Sequence, residues 1–147
     1  MIAAILALAA ASAPLSDAEV RAFVARQERA WNAGDLDAYF AAFAPSALFA
    51  DKAANGAELI TYGVSTVAEA RANSRRLMAK STVRETGQVL TVNIGPGGAK
   101  VLTRVVTRIE TGAKVRMVCA DRVQEVRPTP QGLKSFRQTD YIRRCPR

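Results

Sequence analysis

The sequence predicts an α+β fold, with helices grouped first and a long antiparallel sheet after them. Three observations carry that prediction. Apolar residues from Val20 to Phe43 recur at a helical period. From Ser81 onward the period changes to two, in segments rich in Val and Thr. Turn signals then cut this second region into pieces, at Gly95-Pro96-Gly97-Gly98, Thr111-Gly112 and Pro128-Thr129-Pro130-Gln131-Gly132. The predicted order is α-α-β-β-α-β-β-β-β.

Each element has a local cause. Ser16-Asp17-Ala18-Glu19 fits a capping box, with a hydroxyl at the N-cap and a carboxylate three residues on. Val20, Phe23, Val24, Gln27 and Trp31 follow on one helix face. Gly34 is the expected stop, and Asp35 caps a second helix whose stripe is Leu36, Tyr39, Phe40 and Phe43. Pro45 is expected to end that helix. Leu48-Phe49 reads as a short strand, and Asn55-Gly56 as a turn into Leu59-Ile60-Thr61-Tyr62, which Gly63 closes. Thr66-Val67-Ala68-Glu69 is a second capping box, opening a helix to about Lys80. The four long strand candidates run from Val83 to Ile94, Ala99 to Ile109, Val115 to Arg127 and Leu133 to Arg143. Short connections make them an antiparallel meander.

Composition sets the outer limits. The chain has 147 residues, 49% of them hydrophobic and 23% charged, enough for one domain with a packed core. The formal net charge is +8, from 21 Lys plus Arg against 13 Asp plus Glu. These charges are scattered along the elements rather than run together, which reads as a basic surface, and nucleic acid is not an expected partner. There is no His, so histidine triads and histidine metal sites are excluded, and two Cys cannot build a four-thiolate zinc site. The Gly95–Gly98 stretch is a hairpin turn rather than a phosphate loop. No metal and no cofactor are expected.

The first residues differ from the rest. No charged side chain precedes Asp17, and Ile2 to Ala11 is apolar but too short to span a bilayer, so no stable membrane span is expected. Ala9-Ala10-Ala11 offers a cleavage site before Ser12, whereas a cut after Ala13 would meet Pro14. Residues 1–13 thus read as a signal peptide and residues 14–147 as a single domain, exported to the periplasm or secreted. A frayed Ala-rich helix is the alternative. Cys119 and Cys145 suit an oxidising compartment. If Arg127 pairs with Leu133, Cys119 faces Tyr141, about 13 Å along the strand from Cys145, and a disulfide then needs the terminal residues to curl back.

The stretch "RAWNAGDLDAYFAAFAPSALFAD", with Trp31, Gly34, Asp35 and Tyr39 at its centre, resembles the opening of the nuclear transport factor 2-like superfamily. The element order after the leader is similar throughout, in particular to small SnoaL-like bacterial members. The resemblance implies a cone in which a curved, mainly antiparallel sheet and the helices enclose a pocket, with a homodimer formed through the sheet. It leaves open a binding domain, an isomerase-like, SnoaL-like or epoxide-hydrolase-like enzyme, and a non-catalytic interaction module.

Register estimated from the turns places Arg104 opposite Cys119 and Leu102 opposite Asp121. One face then holds Val89, Thr91, Asn93, Leu102, Arg104, Val106, Met117, Cys119, Asp121 and Val123, which mixes apolar groups with a few polar ones as a pocket does. Asp121 with Arg104 is the expected acid–base pair, or else a structural ion pair. Asp51 reads either as a group at the pocket mouth or as a solvated turn residue. Trp31, Tyr39, Asp51, Tyr62, Asn93, Met117, Cys119 and Tyr141 complete the expected ligand-binding set. The expected ligand is a small, partly apolar molecule, with an anion fitting the Arg.

Overall fold

The computed structural model describes residues 14–147, so the expected signal peptide lies outside the described residues. Helices α1 (Asp17–Asn32) and α2 (Leu36–Ala41) come first. Strands β1 (Phe43–Asn55) and β2 (Glu58–Thr66) precede helix α3 (Val67–Lys80). Strands β3 (Thr82–Gly95), β4 (Gly98–Thr111), β5 (Lys114–Thr129) and β6 (Gly132–Arg143) complete the chain. The predicted order of elements is the observed one.

Local chemistry acts as expected at the helix starts. The Ser16 hydroxyl accepts from the Glu19 amide while the Glu19 carboxylate accepts from the Ser16 amide. Asp35 and Thr66 cap α2 and α3 through one bond each, accepting from the amides of Ala38 and Glu69, so the Thr66–Glu69 pair forms the cap but not the return bond of a full capping box. Pro45 departs from expectation. Helix α2 ends at Ala41, and Pro45 lies inside β1, where pairing with β6 is irregular between Phe43 and Leu48. Such an interruption tolerates a residue that cannot donate to a ladder. Gly63 likewise lies inside β2, opposite Asp51, next to a bulge at Asp51/Lys52.

The six strands form one open mixed sheet in the order β2-β1-β6-β5-β4-β3. β3 to β6 are the antiparallel meander, and β1 joins it parallel to β6. The helices cover one face, termed the inner face. Val20, Phe23 and Val24 of α1 pack on Ala99, Val101 and Val126 of β4 and β5. A second, aromatic cluster joins Tyr39 and Phe40 of α2 to Phe43 and Ala47 of β1. Removing these side chains from water is the main force holding helices to sheet.

This packing overturns the expected pocket face. The inner residues of β4 are Val101, Thr103 and Val105, all under 4% exposed. Arg104, Asp121 and Met117 alternate with that row and stand on the outer face, which the helices leave open. The β4–β5 turn is Gly112-Ala113, with Gly112 at φ 59°, so Arg104 pairs with Asp121 itself and Cys119 with Val106. That is a slip of two positions, which preserves faces. The grouping of residues was therefore right for β4 and β5, and the choice of which group met the helices was wrong. In β3 a bulge between Val89 and Thr91 sends Val89 inward, leaving Asn93 outside.

Cys119 and Cys145 form a disulfide with Cα atoms 5.2 Å apart. A bulge at Glu125/Val126 advances the β5–β6 register so that Cys119 pairs with Arg143. Cys145 lies just past the strand end and bends back over Cys119. The extended-strand gap of the sequence estimate disappears for that reason.

Candidate functional site

A cavity of about 310 Å³ opens between α3, the aromatic cluster and the inner face of the sheet. Trp31, Tyr39, Phe40 and Phe49 form one wall. Their rings are mutually tilted, with Trp31 4.9 Å from Tyr39 and Phe40 5.9 Å from Phe49 between centroids. Such edge-on contacts favour the arrangement beyond the area it buries. Ala70, Asn73, Ser74 and Leu77 of α3 form the opposing side.

The polar floor is built from strand register. Asp51 of β1 pairs with Asp140 of β6, Asp140 with Arg122 of β5, and Arg122 with Thr103 of β4. Neighbouring strands lie about 4.8 Å apart, so these side chains make one row across the inner face. Glu85 of β3 reaches the same row. Arg122 donates from Nη1 and Nη2 to Glu85 at 2.7 and 3.2 Å, and from Nε and Nη2 to Asp140 at 2.7 and 2.9 Å. All three side chains are mostly buried, Arg122 at 12%, Glu85 at 9% and Asp140 at 18% exposure. Burial opposes the guanidinium charge, but Asp140 and Glu85 outweigh it and hold Arg122 protonated.

Further contacts lock this cluster in place. The Asn32 side chain at the end of α1 both donates to and accepts from the Glu85 backbone, at 2.7 Å each way. Glu28, one turn earlier, accepts from the Gly87 amide at 3.2 Å. A Cβ at position 87 would lie 3.0 Å from that Glu28 oxygen, so Gly87 makes room for it. Burial raises the Glu28 pKa, the Gly87 amide opposing it. Beneath the aromatic wall, Gln124 donates to both Gln27 and Gln138. Buried polar groups joined this way specify one packing of α1 on the sheet.

Asp51 differs from its neighbours. It sits exposed at the cavity rim, and among the described residues no cation forms an ion pair with it. Partial burial raises its pKa first, and the Asp140 charge raises it further, with Arg122 opposing. A carboxyl with raised proton affinity beside an ion-paired one can take or give a proton, or hold a donor of a bound molecule. Tyr39 is buried, and burial pushes its phenol well up, so it stays neutral. The Trp31 Nε1 is shielded from solvent and has no acceptor among the described residues.

Of the residues expected to form a site, Trp31, Tyr39 and Asp51 line this cavity. Asp121 and Arg104 do form an ion pair, at 3.3 Å, but on the outer face and half in water. Arg143 shares the same Asp121 oxygen at 3.3 Å. Asn93, Met117 and Cys119 also belong to the outer face, Cys119 lying under the disulfide. Tyr141 is there too, with Lys52 over its ring. Tyr62 is exposed near the rim, close enough that Asp51 adds to the burial that raises its pKa. Arg122, Glu85, Asp140 and Gln138 were missed. Their signal was alternation with Asp121: Arg122 and Gln124 interrupt an otherwise small, apolar row of Ala120 and Val126.

No protein-family model matches the chain, and no curated protein does. Solved structures do resemble it. The ketosteroid isomerase-like protein of Erwinia carotovora atroseptica superposes with a TM-score of 0.68 at 12% identity, over 87% of this chain and 96% of that one. The beta subunit of the benzoate 1,2-dioxygenase of Burkholderia mallei gives 0.69 at 14%, over 89% and 93%. A nuclear transport factor 2-like protein with a cystatin-like fold from Novosphingobium aromaticivorans gives 0.64 at 18%, over 85% and 80%. The fold is thus the nuclear transport factor 2-like, cystatin-like α+β fold. At these identities the likeness is one of fold, and the site must speak for the function.

Proposed function

We propose that this chain is an exported domain that binds a small, partly apolar molecule in the inner cavity. The observation that carries this reading is the lining itself: an aromatic wall facing a short row of fixed polar groups, with one carboxylate, Asp51, that no cation pairs among the described residues. Ligand sites commonly set an apolar wall against convergent polar groups, and here the polar residues make up about half of the lining. The same lining favours a neutral or cationic ligand over an anion. Arg122 is the one cation among the lining residues, and its guanidinium is occupied by Glu85 and Asp140.

Native mass spectrometry of freshly purified protein tests the binding reading. A non-covalent small-molecule adduct is expected, and it should be lost in Ala70→Phe, which fills the cavity from α3. An adduct that survives Ala70→Phe in a folded variant would place the ligand elsewhere. Export is supported by the disulfide, which persists in oxidising compartments, together with the apolar leader before Ser12. Edman sequencing of the protein from its native host should start near Ser12, and an intact Met1 would end the export reading.

A further inference from the structure

We propose that the ligand class of this cavity is an organic ammonium ion, seated with its charge at Asp51 and its apolar body against the Trp31–Phe49 wall. The inference rests on the binding reading above and adds to it the sign of the ligand's charge.

The chain carries +8 overall, yet its cavity is acidic. Three carboxylates line it, Asp51, Glu85 and Asp140, against one guanidinium. Arg122 turns every nitrogen toward Glu85 or Asp140 and commits four of its five N–H groups to them, so its charge is already matched by two carboxylates and attracts an anion little. The excess negative charge is therefore built into strand register, and Asp51 carries the part with which no cation forms an ion pair among the described residues. The neighbouring Lys52 does not supply the balance, because it alternates to the outer face and lies over Tyr141. The wall beside Asp51 is aromatic, and ring faces attract a cation where water is partly excluded. A carboxylate alone would select any donor. A carboxylate beside a second acid and an aromatic wall selects a positively charged one, since an ammonium gains from all three while an alcohol gains from one.

The test uses three probes with one scaffold and different head groups: phenethylamine, 2-phenylethanol and phenylacetate. Trp31 is the chain's single tryptophan and forms part of the wall, so its fluorescence reports occupancy directly. The amine is expected to bind at least tenfold tighter than the alcohol, with phenylacetate weakest. Asp51→Asn should erase the amine's advantage while leaving alcohol binding in place. Asp121→Asn, on the outer face, should leave the order of the three unchanged. Equal or tighter binding of the alcohol or of phenylacetate overturns the ammonium proposal and leaves the binding reading standing. Retention of the amine preference in Asp51→Asn also overturns it. Failure of all three probes, with no adduct in the mass spectrum, overturns both.

Discussion

Asp121 and Arg122 are consecutive residues of β5, and each forms an ion pair, yet the two pairs have little in common. Asp121 meets Arg104 and Arg143 on the outer face through single contacts of 3.3 Å, with the Arg104 side chain half exposed. Arg122 meets Glu85 and Asp140 on the inner face through two bonds to each, at 12% exposure. The residue types are the same and the chain separation is one. What differs is the medium. On the outer face water solvates both charges and screens their attraction, so the pair adds little. On the inner face water is displaced, so each group depends on its partners for the solvation it has lost. The lesson is that a salt bridge is read by its surroundings before its distance.

The comparison is broken most readily at Arg122. Arg122→Met keeps much of the volume but leaves Glu85 and Asp140 facing each other without their cation. A loss of about 3–5 kcal/mol in urea unfolding is expected. The matching change outside, Arg104→Met, should cost less than about 1 kcal/mol, since Asp121 keeps Arg143 and water. Equal costs would show that the two faces are not different media. The smallest effect is expected at Asp51. Its pKa is raised in the folded chain by burial and by Asp140, so the folded state prefers its protonated form. Stability from this group is present at low pH and is lost as pH rises through the raised value. Asp51→Asn should therefore raise Tm slightly at pH 7, by about 1–2 °C, and leave it unchanged near pH 3, where the carboxyl is protonated in both states. A lower Tm at pH 7 would mean that Asp51 has a stabilising partner. If the ammonium proposal holds, the same substitution gains stability and loses ligand, a trade that binding sites commonly show.

The fold was legible for reasons that act within a few residues. Ser16 and Glu19 cap α1 because a hydroxyl and a carboxylate at that spacing satisfy free amides. The Gly-rich turns ended strands where they were expected, and a period of two marked the meander. Pro45 misled because its missing N–H ends a helix or sits at a strand irregularity equally well, and only the pairing of β1 with β6 decided which. Trp31, Tyr39 and Asp51 were found because they lie in or beside the segment whose order of helix, helix and strand was clear.

By itself, then, the sequence settled which residues share a strand face, which ends are capped and how the elements follow one another, since those are matters of local geometry and side-chain period. Tertiary structure alone decided which face of the sheet the helices would cover. Alternation divides β5 into an Asp121 set and an Arg122 set, and both mix apolar residues with a few charged or polar ones as a pocket lining does. The choice was made by Val20, Phe23 and Val24 of α1 meeting Val101 and Val126, nearly eighty residues or more away in the chain. Burial of apolar surface between distant segments carries no period and no local signature, so the side it excluded from water had to be seen in three dimensions.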